Sequence, residues 1–138
     1  MTEQTSTADQ NTRKGHDDRA AALIAVAAWL VPGLGHALMR MWTRALACVL
    51  CVGALVLCGA GMRGNLFTWG SPDPFARLGF VADAGAGAFY WVAKSMEKDG
   101  PDVSRADGDY GTRLLAAAGV LNLLAALHAF EAARGRKA

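Results

Sequence analysis

"WLVPGLGH", residues 29–36, is the stretch on which the reading of the fold turns. It lies inside an uncharged run from Ala20 to Met39, yet its proline removes a helical amide donor and its two glycines loosen the backbone. As a single helix, Ala20 to Met39 would be about 30 Å long, the thickness of a bilayer's hydrocarbon core. A chain that reversed at Pro32 would leave only Ala20 to Val31, about 18 Å, which is too short to cross. The helix must therefore continue through the motif as a kinked span, or the segment must be re-entrant. The kink is the simpler reading. Pro32 frees the carbonyl of Ala28, while Gly33 and Gly35 admit a neighbouring helix close enough to help satisfy it.

Outward from the motif, Arg40 and Arg44 mark a short polar break, and Ala45 to Met62 forms a second uncharged run of about 27 Å as a helix. Residues 20–62 thus read as a transmembrane hairpin, followed by a loop over 63–73. "SPDPF" (71–75) has the form of a helix start, with Asp73 as cap and Pro74 in the first turn. A third helix is expected over 74–97, its apolar part carrying Asp83 as the one charge. After a polar loop, 98–109, a fourth helix over 110–134 holds Asn122 and His128 and is ended by Gly135, with a basic tail at 135–138. Residues 1–19 are polar and are expected to be a disordered tail. A cleaved secretory signal fits less well, because that leading segment is long and acidic and a second apolar run follows at once.

The fold expected is therefore all-α, an integral membrane protein of four helices. Composition agrees: 53% of the 138 residues are hydrophobic and mean hydropathy is +0.20, high for a small soluble domain. Four alternating crossings would put Trp42, Tyr90, Trp91 and Tyr110 near one membrane face and Phe67, Trp69 and Phe75 near the other, as aromatic belts do. They would also place Arg13, Lys14, Arg19, Arg63, Arg77, Arg134, Arg136 and Lys137 on the side of both termini, against Arg40, Arg44, Lys94, Lys98, Arg105 and Arg113. This excess favours termini in the cytoplasm of a bacterial inner membrane. A net charge of +2 with no basic stripe excludes a nucleic-acid partner. The expected partners are the lipid bilayer and another membrane protein or a second copy of the chain.

Enzymatic chemistry finds little footing. The serines lie in the tail and connecting segments, none in a nucleophile elbow. Cys48, Cys51 and Cys58 share one face of an apolar helix, where small packing residues are a simpler account than a redox pair. His36 and Asp83 are the ionisable residues that fall within apolar segments, and such residues are functional candidates by default. His128 joins them. His36 and His128 could together ligate a haem, but four alternating crossings would put them on opposite sides of the membrane, so no cofactor and no metal are expected. Asn122 is suited to bridging helices, so Pro32, Gly33, Gly35 and Asn122 are read as a kink and packing set.

"PGLGH" followed by "RMWTRAL", and later "DYGTRLLAAAGVLNLLAALHAFEAARGRK", resemble an uncharacterised family of small bacterial integral membrane proteins known only as a domain of unknown function. The first half also resembles, more loosely, the two-transmembrane domain proteins, in which a glycine-containing turn and a histidine close the first span. The resemblance implies a helical membrane hairpin and no activity. The expectation is a structural or partner-binding membrane component, the alternative being an accessory that handles protons or a ligand through His36 and Asp83.

Overall fold

The computed structural model describes residues 17–70, 72–97 and 106–135. They form six helices: α1 (17–30), α2 (Leu34–Leu38), α3 (Trp42–Gly61), α4 (Pro74–Ala84), α5 (Ala88–Met96) and α6 (Ala106–Ala133), with no strand among the described residues. The all-α expectation holds, and the helix count changes from four to six. The expected tail is shortened, because residues 17–19 belong to α1; residues 1–16 and most of the expected 98–109 loop lie outside the described residues.

Two helices, α3 and α6, are long and apolar enough to cross a bilayer. They run antiparallel over their length. Gly59 meets Gly111 and Leu115 at one end, and Ala47 and Cys48 share a groove with Leu124 and Ala125 towards the other. The end holding Trp42 and Ala133 is called the terminal end below, and the end holding Gly61 and Ala106 the distal end.

The first apolar segment does not continue through its motif as a kinked span. Helix α1 stops at Leu30, leaving 14 residues, about 21 Å. It starts at the terminal end, where Asp18 pairs with Arg134 of α6 at 2.8 Å, and reaches only the middle of α6, where the Trp29 carbonyl meets Asn122. There the chain reverses. Leu34 N bonds back to the Val31 carbonyl at 3.0 Å, and Gly33 takes φ 83°, a left-handed conformation that costs glycine little. Helix α2 then returns along α1, so that a Cβ on Gly35 would sit 2.6 Å from the Ala28 Cβ and 3.0 Å from the Ala129 Cβ. The chain therefore turns back at the motif instead of running through it.

The third expected helix, 74–97, is likewise two helices. Its start follows the sequence reading: Asp73 Oδ1 accepts from Phe75 N at 3.1 Å, and Pro74 needs no donor in the first turn. Helix α4 then climbs from the distal end to the middle of α6, where its Ala82 and Gly85 lie against Gly119. Gly87 (φ 61°, ψ −128°) turns the chain, and α5 descends until Ala93 and Met96 lie beside Ala60, Gly64 and Leu115. A one-turn correction applies to the fourth helix, which begins at Ala106 and includes Asp107 and Asp109.

The result is two full-length antiparallel helices and two half-length hairpins, α1–α2 and α4–α5, that enter from opposite ends and meet tip to tip. The expected aromatic partition changes accordingly. Tyr110 sits at the distal end, close to the Asn65–Thr112 contact, and Trp91 lines a cleft at the hairpin tips with Trp29 and Phe80. Val52, Val56, Leu66, Ala93, Leu115 and Ala118 form the larger core cluster, on the distal side. A smaller one, Ala28, Ala126 and Ala129 with Ile24 and Met39, lies on the terminal side. With so many alanines and glycines at the contacts, the backbones approach closely, and cohesion comes from that proximity rather than from side-chain bulk.

Candidate functional site

Two half-helices that end in the middle of a protein leave carbonyls without helical donors at both tips. Asn122, fully buried on α6, answers both. Its Nδ2 donates to the Trp29 carbonyl at 2.8 Å and to the Gly85 carbonyl at 2.8 Å. The Trp29 indole Nε1 donates across the same gap to the Ala84 carbonyl at 3.1 Å. Helices α1 and α4 thus point their C-terminal, negative dipole ends at one place, where three N–H groups offset them. The close fit reaches the backbone: a Cβ on Gly87 would collide with the Trp29 carbonyl oxygen, and one on Gly119 with that of Ala82.

Asp83, in the last turn of α4, is 1% exposed and faces away from this joint towards the 64–68 segment. Its Oδ2 accepts from Phe67 N at 2.8 Å. The carboxylate therefore ties the entry segment to the second hairpin. Asp83 Oδ1 and Asn122 Oδ1 are buried without a hydrogen-bond partner among the described residues.

The second polar cluster lies nearer the terminal end. His36, in the returning helix α2, is 3% exposed, and its Nε2 stands 3.0 Å from Nδ1 of His128 on α6. The rings are almost parallel, 15° apart with centroids at 5.2 Å. His36 Nδ1 is buried without a partner among the described residues. The expectation that these histidines lie on opposite sides is overturned. It rested on four alternating crossings, and because the first hairpin turns back, α2 delivers His36 to the same level of α6 as His128.

The sequence-derived residues are thus gathered into three places. Pro32, Gly33 and Gly35 form the first hairpin's turn and return, Asn122 sits at the joint, and the histidines pair apart from Asp83. Trp29 and Gly119 also build the joint, as does Gly85, which the sequence offers as a point of close approach beside Asn122. The spacing of Gly85 and Gly87 within an otherwise apolar run was the available signal, since two glycines two residues apart suit a reversal as well as a thin helix. Cys51 and Cys58 are exposed rather than packed in a helix contact, and Cys48 is half-buried. Among the described residues no three His, Cys, Asp or Glu side chains come together as a metal site.

Residues 23–138 match a family of unknown function, DUF6677. No curated protein matches, and no solved structure does.

Proposed function

We propose that this chain, which belongs to that family of unknown function, is an integral protein of the bacterial cytoplasmic membrane that acts as a structural or partner-binding component and not as an enzyme. The observation carrying this reading is the exposure of its two long helices. Only 28% of the apolar window of α3 and 33% of that of α6 is buried. A soluble protein's core helix is buried over most of its surface, whereas here Leu46, Leu50, Leu57, Leu124 and Leu127 are all more than half exposed. So large an apolar surface calls for lipid or a membrane partner.

The hairpin tips support the same reading. Non-helical backbone is tolerated at membrane depth only where protein encloses it. Pro32, Gly33 and Gly85 to Gly87 are all buried, and the open carbonyls beside them, of Trp29, Ala84 and Gly85, accept from the Asn122 amide and the Trp29 indole. On this reading the chain crosses twice, with both termini on one side. Arg13 and Lys14 before α1, and Arg136 and Lys137 after α6, favour the cytoplasm for that side. The partners are the bilayer and a membrane protein or second copy, with no nucleic acid.

A proton- or ligand-handling site built jointly from His36 and Asp83 has less support, since the first contacts His128 and the second Phe67 N. The test is topology. The protein should resist carbonate extraction, and reporters fused at Asn65 and at Glu97 should lie on the same side, opposite a reporter after Ala138. Recovery in the soluble fraction, or a reporter at Asn65 on the side of Ala138, would refute the reading.

A further inference from the structure

The start of α3 gathers positive charge at the terminal end. Arg113 is held by Asp109 and Arg134 by Asp18, but Arg40 and Arg44, both exposed, form no ion pair among the described residues. They lie two residues before and two after Trp42, the first residue of α3. The first turn of this 20-residue helix has no side-chain cap and no acidic residue. Its leading N–H groups therefore add a positive dipole end to the two guanidinium charges.

Beside that charge an apolar groove runs into the membrane region. Trp42, Leu46 and Val49, on one face of α3, line one side, and Pro32, Leu34 and Ala37 of the first hairpin line the other, around a volume of about 270 Å³. Gly33 joins the two sides, so near to α3 that a Cβ there would collide with the Ala45 carbonyl oxygen. The stretch of α3 from Trp42 to Val49 is about 10 Å long, so the groove lies within one leaflet of a hydrocarbon core about 30 Å thick. At roughly 30 Å³ for each water-sized group, it has room for about nine methylenes. A helix from a second copy, about 10 Å across with its side chains, is too broad for it. One acyl chain fits, and Trp42 stands at the mouth, the level that indole rings favour at a membrane surface.

We infer that the groove holds one acyl chain of an anionic phospholipid, whose phosphodiester lies against Arg40 and the open N–H groups of α3. Arg44, on the other face of the same first turn, adds to the field. The inference rests on the membrane reading and names the lipid that reading leaves unspecified. The site selects this class by being apolar along its length and cationic at one end, so its ligand needs a chain with a negative charge at the head; free phosphate lacks the chain. A zwitterionic headgroup carries its own ammonium to the same guanidinium groups and gains less there than a singly negative one. The leaflet agrees. In the membrane reading this end is cytoplasmic, the side on which anionic lipids attract juxtamembrane Arg and Lys.

The test uses the full chain in detergent, stripped of lipid and incubated with equal amounts of phosphatidylglycerol and phosphatidylcholine of the same acyl chains, with retained lipid counted by native mass spectrometry. One lipid per chain should stay bound, phosphatidylglycerol favoured about fivefold, the effect of one basic residue at an anionic lipid surface. Glycerol 3-phosphate should not displace it. Arg40→Gln should abolish the preference while a lipid is still retained. Val49→Phe fills the groove and should lower retention of both lipids, whereas Leu57→Phe, exposed elsewhere on the same helix, should leave it unchanged. Arg40 and Val49 are themselves exposed, and the comparison of two lipids on the wild type needs no variant at all. Equal retention of the two lipids by the wild type, a preference untouched by Arg40→Gln, displacement by glycerol 3-phosphate, or Leu57→Phe acting as strongly as Val49→Phe would overturn the assignment. Each of these outcomes leaves the membrane reading standing, because that reading fails on carbonate extraction or topology.

Discussion

Replacing Asn122 by alanine removes the one side chain that both hairpin tips share. Two hydrogen bonds of 2.8 Å are lost at once, to the carbonyls of Trp29 and Gly85. A buried carbonyl left without its donor costs about 1–3 kcal/mol, whereas an average interhelical bond in a membrane protein is worth only about 0.6 kcal/mol. The larger figure applies here, because close packing at Gly85, Gly87 and Gly119 leaves little room for water to replace the amide. The two carbonyls together give an expected loss of about 2–6 kcal/mol, or roughly one and a half to four and a half decades in the folding equilibrium. The assay is reversible unfolding in mixed micelles, with Leu124→Ala as the control on the same helix, since Leu124 is 58% exposed. Asn122→Asp supplies the sign. A carboxyl at this buried position offers one O–H donor when neutral and none when ionised, so it cannot serve both carbonyls and should destabilise as well. If Asn122→Ala costs no more than Leu124→Ala, or if Asn122→Asp is tolerated, the amide is not capping the two tips.

Gly35→Leu should lower stability by about 1–3 kcal/mol through overpacking, because the Ala28 and Ala129 methyls stand within 3.0 Å of any Cβ there. Gly61→Ala, with nothing within 4 Å, should be silent in the same thermal scan, and equal effects would refute close packing of the first hairpin. Asp83→Asn keeps an acceptor for Phe67 N and should leave abundance and melting temperature nearly unchanged; Asp83→Leu strands that amide and should cost about 1–3 kcal/mol. A phenotype lost in Asp83→Asn at normal abundance would instead promote proton or ligand handling. Trp29→Phe deletes the indole bond to the Ala84 carbonyl and should cost about 0.5–1.5 kcal/mol, read as a lowered unfolding midpoint.

The helix starts and stops with local causes were legible in the sequence. Asp73 and Pro74 open α4 as their residue types require. Gly135 (φ 68°) ends the last helix, and the uncharged run after Arg44 is indeed one long helix. His36, Asp83 and Asn122 stood out as polar groups in apolar segments, and they are the buried polar residues among the described residues. Their partners were not legible. The pairing of His36 with His128 depends on which way the chain runs after Pro32, and that direction is a property of the whole bundle.

What the sequence determined by itself was the amount and spacing of apolar surface: an all-helical chain, apolar over lengths that match a bilayer, punctuated at Pro32–Gly33 and at Gly85–Gly87. What only the tertiary structure decided was whether those punctuation marks are kinks or reversals. Hydropathy measures how much of a segment avoids water, and a half-length hairpin avoids it as well as a full span does. Proline and glycine permit either outcome locally. A reversal in the interior is affordable only if its freed carbonyls find donors, and the donor here is an asparagine amide 93 residues further along the chain from Trp29, with the Trp29 indole reaching across to the other tip. That match exists only once both hairpins are docked on α6, so no local window of the sequence could have contained it.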